Sequence, residues 1–138
     1  DRNALTPAMV EEMHASGLVE FGAHSVRHPY LSPLEAGDAP WEISEAKRSC
    51  EALLGTEVRH FAYPFGDARS FGAREIAFCR EAGFRTAVTT ESNTIFESDR
   101  DRLLALPRLT FTGTFQGARL LDLLLSGALP KIRRAIRG

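Results

Sequence analysis

Val58-Arg59-His60-Phe61-Ala62-Tyr63-Pro64-Phe65-Gly66-Asp67 is the stretch on which the fold of this chain turns. Val58 to Tyr63 reads as a strand, and Pro64 and Gly66 end it in an abrupt turn. Downstream, Ser70 is placed to cap a helix running to about Ala82, Gly83 stops it, and Arg85 to Thr90 forms the next strand. Upstream, Asp38 can cap a helix beginning near Pro40, with Trp41, Ile43, Cys50, Leu53 and Leu54 at roughly helical spacing before Gly55. Earlier still, Thr6-Pro7 starts a helix that carries Met9, Val10 and Met13 and stops at Gly17. Leu18 to His24 follows as a strand and Ser25 to Pro29 as a loop. Helix and strand therefore alternate, which argues for parallel strands joined by helical crossovers, in an α/β sheet or a barrel of βα units. Residues 91 to 107 look irregular and charged, Leu106 to Phe111 is a last short strand, and Phe115 to Leu125 is an amphipathic helix.

The 138 residues are 43% hydrophobic and 25% charged with a formal net charge of −1, the composition of one globular domain. The interspersed charges predict no nucleic-acid surface. The basic tail Lys131 to Arg137 reads as a solvated terminal helix, with an anionic membrane surface as the alternative. No apolar run approaches the roughly 20 residues of a membrane span, so no transmembrane segment is expected. The chain opens on Asp1 and not Met, as expected of a processed product, an excised piece or part of a longer reading frame. Cys50 and Cys79 lie outside any CxxC or His cluster and are read as buried thiols, with a disulfide as the other reading.

In such folds chemistry sits in the loops leaving the carboxyl ends of the strands. The first loop offers His24-Ser25-Val26-Arg27-His28-Pro29, two imidazoles that can face one point and bind Zn²⁺ or a similar ion. The second is the Tyr63-Pro64-Phe65-Gly66 turn, whose backbone N–H groups could hold a developing oxyanion. Asp67 is the nearest carboxylate candidate, though a solvated turn residue is the simpler reading. His60 lies inside a strand on the side opposite Phe61, and His14 reads as a surface residue.

His24-Ser25-x-x-His28-Pro29 behind Phe21-Gly22-Ala23, together with Phe61-Ala62-Tyr63-Pro64-Phe65-Gly66, resembles the second and third motifs of the polysaccharide deacetylase family, the NodB-homology domain or carbohydrate esterase family 4. The likeness runs over about residues 5 to 112 and takes in Arg80-Glu81-Ala82-Gly83-Phe84, Thr86 to Thr90 and Leu106-Pro107-Arg108. It implies a distorted (β/α) barrel, incomplete at its N-terminus, that forms a single partial domain over 1–138 and removes acetyl groups from an amino-sugar polymer or oligosaccharide. It further implies a divalent cofactor, Zn foremost with Co, Ni or Mn as alternatives. His24 and His28 match the family's two His ligands, Ser25 would orient their loop, and the Phe65 N–H would bind the oxyanion. Tyr63, Pro64 and Phe65 would line the substrate face.

Three family features are absent from this sequence. No Asp-Asp pair occurs, Ala62 stands where many members carry Arg, and the late Leu-x-His motif is missing. The third ligand, general base and general acid are therefore not found here, and the alternative reading is a non-catalytic carbohydrate- or metal-binding remnant of the fold. The resemblance implies the cell envelope or the exterior, with the cytoplasm as the alternative. A barrel lacking its first strand should also expose an edge, favouring marginal stability or a homodimer through that edge.

Overall fold

A computed structural model describes residues 4–109, 122 and 125–127 of the chain. The outer end of the Leu106–Phe111 strand, nearly all of the Phe115–Leu125 helix and the basic tail lie outside the described residues. Within them the alternation holds: α1 (Pro7–Ala15), α2 (Asp38–Leu54), β1 (His60–Ala62), α3 (Ala73–Glu81) and β2 (Thr86–Val88), then a 3-10 helix at Glu97–Ala105. β1 and β2 pair in parallel, with Phe61 opposite Ala87. Single-residue parallel bridges extend the sheet on both sides, Ala23 to Phe61 and Val88 to Leu106. Four parallel strand positions thus lie in the order Ala23, β1, β2, Leu106.

The strands are shorter than the sequence predicts. Leu18 is 90% exposed, and of the Leu18–His24 run only Ala23 enters the ladder. An apolar run alone does not make a strand when nothing packs on it. The segment 91 to 107, read as irregular, contains the 3-10 helix, which Asp99 anchors by accepting from the Phe96 N–H at 2.7 Å and pairing with Arg102 at 2.6 Å. Asp38 sits in the first turn of α2 behind Gly37, and α3 starts after Gly72, whose N–H donates to Glu75 at 2.8 Å. Ser70 instead donates its hydroxyl to the Asp67 carbonyl.

One face of each strand is buried and the other half-covered. Phe61, Tyr63 and Ala87 point into a core shared with Ile43, Ala46 and Cys79 from α2 and α3, whereas His60, Ala62, Thr86 and Val88 are half-exposed. The buried stripe of α2 is Ala39, Glu42, Ile43 and Ala46; Trp41 and Leu53, counted from the sequence as apolar positions of this helix, are exposed. Lys47 ties α2 to α3 by donating to the Ala82 carbonyl at 2.9 Å, a cation placed at the carbonyl end of α3.

Both cysteines are free, Cys79 buried and Cys50 half-buried. Burial pushes the Cys79 thiol up to about 12, and only the thiolate attacks electrophiles. A thiol reagent at neutral pH should therefore label Cys79 only after unfolding. Prompt labelling of the native protein would show that α3 packs differently.

Candidate functional site

The site is built where Ala23 and β1 end. His24 follows the bridge directly, and its Nδ1 lies 2.7 Å from the Ala62 carbonyl. A carbonyl only accepts, so Nδ1 carries the proton, and Nε2 of the neutral ring is left with its lone pair free. His28 comes back against it, the ring centroids 4.8 Å apart and nearly perpendicular. Two imidazoles sharing an ion at about 2.0–2.1 Å from each nitrogen have centroids roughly 5 Å apart, so the pair fits a shared divalent ion. The backbone carbonyl behind His24 is the usual device for orienting such a ligand.

The intervening loop is strained. Among the described residues three that are not glycine have positive φ, and all belong here: Ser25 at 59°, His28 at 56° and Phe65 at 61°. Each costs about 1–2 kcal/mol relative to right-handed backbone, so surrounding contacts must hold them. Ser25 Oγ accepts from the His28 N–H at 3.0 Å. Glu42, reaching up from α2 and fully buried, accepts from the Val26 and Arg27 N–H groups at 2.8 and 3.0 Å and from Arg27 Nε at 2.5 Å. Burial alone would raise the Glu42 carboxyl, but the Arg27 amide and guanidinium and the Val26 amide hold it below the ordinary carboxylate range.

The second turn closes the other side. Phe65 stacks on Tyr30 at 3.9 Å and meets the His28 ring at 4.9 Å, with 43% of its surface exposed. Its carbonyl accepts from Thr90 Oγ1 at 2.9 Å, while its N–H donates to no group among the described residues. Tyr63 is 1% exposed, donates its hydroxyl to the Leu104 carbonyl and stacks on Phe71, and Pro64 is buried. Tyr63 and Pro64 are too buried to present a surface to a ligand, whereas the neighbouring Phe65 is exposed. Beside the turn the carboxyl ends of β1 and β2 border a cavity of about 470 Å³ lined by Gly66, Asp67, Phe71, Thr89, Thr90 and Arg102.

Among the described residues no group of three or more His, Cys, Asp or Glu could hold a metal. Asp67 is engaged by the Arg69 amide at 2.9 Å and the Arg69 guanidinium at 3.2 Å. His60 bonds Thr86 Oγ1 and Glu20, on the half-covered face of the sheet away from Phe61. His14 is half-buried, its Nδ1 without a hydrogen bond among the described residues, and not the surface residue that the sequence suggests. Sequence reasoning missed Glu42, Tyr30 and Thr90 as parts of this site. The one available signal was a Glu on the apolar stripe of α2, since a carboxylate there needs partners.

Three solved structures share this arrangement of elements. The deacetylase PplD from Streptococcus pyogenes, in complex with acetate, matches with a TM-score of 0.76 and 22% identity over 87% of this chain and 50% of its own. A polysaccharide deacetylase from Bacillus cereus matches at 0.66 and 24% over 77% of this chain and 32% of its own. IcaB from Ammonifex degensii matches at 0.65 and 23% over 79% and 48%. At these identities the likeness establishes the barrel fold of the polysaccharide deacetylases, of which this chain spans about a third to a half of the relatives' length. None of the curated proteins matches the chain. The polysaccharide deacetylase family model, however, matches residues 1–87, which hold His24, His28 and the Pro-Phe-Gly turn. On that match, this chain belongs to the polysaccharide deacetylase family.

Proposed function

We propose that this chain contributes part of the active site of a metal-dependent deacetylase acting on N- or O-acetyl groups of an amino-sugar polysaccharide or oligosaccharide. The observation that carries the proposal is the imidazole pair: His24 and His28 face each other at 4.8 Å, with His24 Nδ1 donating to the Ala62 carbonyl. These rings would hold a divalent ion, Zn foremost. Such an ion, when bound, polarises an acetyl carbonyl and acidifies water. The Phe65 N–H, held by the left-handed turn beside His28, is the donor for oxyanion charge developing on that carbonyl. The Tyr30–Phe65 stack gives the site an apolar wall against which a sugar ring can lie. The amino-sugar substrate, and a place in the cell envelope or outside with the cytoplasm as the alternative, rest in this reading on the family resemblance alone. Self-association would use the open edge of the incomplete barrel.

The test is metal content. Purified without chelators or a His tag, the protein should carry about one divalent ion per chain, and the double variant His24→Ala, His28→Ala should carry none. Equal metal in both proteins would assign the ion elsewhere. None in either would put the non-catalytic remnant ahead.

A further inference from the structure

Between the two histidines the chain passes through Val26 and Arg27, flanked by the left-handed Ser25 and His28. A loop bent this way holds its shape only if something outside it takes up its amide groups. One side chain does so. Glu42 spends Oε2 on the Val26 and Arg27 amides and Oε1 on Arg27 Nε. Its neighbours on the buried stripe of α2 are Ala39, Ile43 and Ala46, where an apolar residue would be the ordinary occupant. From the solvent side Arg27 lies over the Trp41 ring at 5.0 Å, so the loop is gripped between a buried carboxylate and an exposed indole.

We infer that Glu42 is a positioning residue for metal capture, fixing Val26 and Arg27 so that the His24 and His28 imidazoles converge before any ion arrives. It bonds to neither imidazole and acts through the Val26 and Arg27 amides and the Arg27 guanidinium. The inference rests on the reading that the histidine pair binds a divalent ion. It also makes α2 part of the active-site scaffold, which no motif in either loop would indicate.

The experiment measures zinc affinity by competition with a chromophoric chelator, and amide exchange at Val26 and Arg27 in the metal-free proteins. Glu42→Leu, which removes all three bonds, should weaken zinc by about 10- to 100-fold, the usual effect of losing a group that orients metal ligands. Its Val26 and Arg27 amides should exchange faster. Glu42→Gln keeps an acceptor for the two amides and loses the one facing Arg27, so it should fall between. Ile43→Val loosens the same helix without touching the loop and should leave zinc affinity unchanged, which separates positioning from general destabilisation. Wild-type affinity in Glu42→Gln and Glu42→Leu overturns the inference, and if Glu42→Leu does not fold, wild-type affinity in Glu42→Gln alone does so. A wild-type protein that takes up no zinc sinks the metal reading and this one together, whereas zinc held equally by all variants sinks this one alone.

Discussion

Phe61→Ala should destabilise the protein by about 3–5 kcal/mol, the range for removing a buried aromatic ring that its surroundings cannot fill. Phe61 is 2% exposed and sits in the middle of β1, bridged to Ala23 on one side and Ala87 on the other. Both flanking residues are alanines, so neither can reach into the space the ring would leave. The ring also meets Tyr63 edge-on at 5.3 Å and Phe84 at 5.2 Å, and such aromatic pairs add about 0.5–1.5 kcal/mol beyond area burial. Against a total stability of about 5–15 kcal/mol, such a loss would leave the variant close to unfolding. Urea titration followed by circular dichroism measures it. A loss below about 1 kcal/mol would mean that the sheet centre is not packed as described.

Gly66→Ala should cost about 2–5 kcal/mol, the sum of two effects that a second glycine separates. Gly66 has φ +66°, and a Cβ there would lie 2.8 Å from the Thr90 backbone nitrogen and 3.1 Å from the Thr89 carbonyl carbon. That nitrogen is also the donor to the Gly66 carbonyl at 2.9 Å, so it cannot retreat without breaking the bond that joins the turn to the end of β2. Gly55, at the end of α2, has the same φ of +66° with nothing within 4 Å of its Cβ position. Gly55→Ala should therefore lose only the left-handed preference, about 1–2 kcal/mol. Equal losses at the two positions would show that the contact with Thr90 is unimportant. Because the turn carries Phe65, Gly66→Ala should also weaken zinc uptake if the Phe65–His28 contact helps hold the second imidazole, whereas Gly55→Ala should not.

The sequence was read best where a residue's chemistry acts locally. Thr6 accepts from the Met9 amide and Pro7 opens α1 as its spacing predicts, and Gly17, Gly55 and Gly83 adopt the left-handed conformation of helix stops. It was read least well where an outcome depends on what packs opposite. Leu18 and Trp41 look like core residues by type and are exposed, because among the described residues no helix or strand covers them. Ser70 and Asp38 have the chemistry of helix caps and lie one or more residues away from the capping positions, because the turn at Asp67 and the approach to α2 are set by contacts distant in sequence.

The candidate site divides along the same line. By itself the sequence determined the two histidines, the Pro-Phe-Gly turn and the order of helix and strand that brings both to the same end of a parallel sheet, since spacing and turn chemistry are properties of neighbours along the chain. Only the tertiary structure decided which nitrogen of His24 keeps its proton, that Phe65 faces His28 and Tyr30 while Tyr63 is buried behind it, and that a carboxylate from α2 holds the loop. Each of these joins residues separated by many positions, such as His24 to Ala62 and Val26 to Glu42. A buried hydrogen bond or ring contact of that kind is fixed by how helices and strands pack, which no local pattern in the chain encodes.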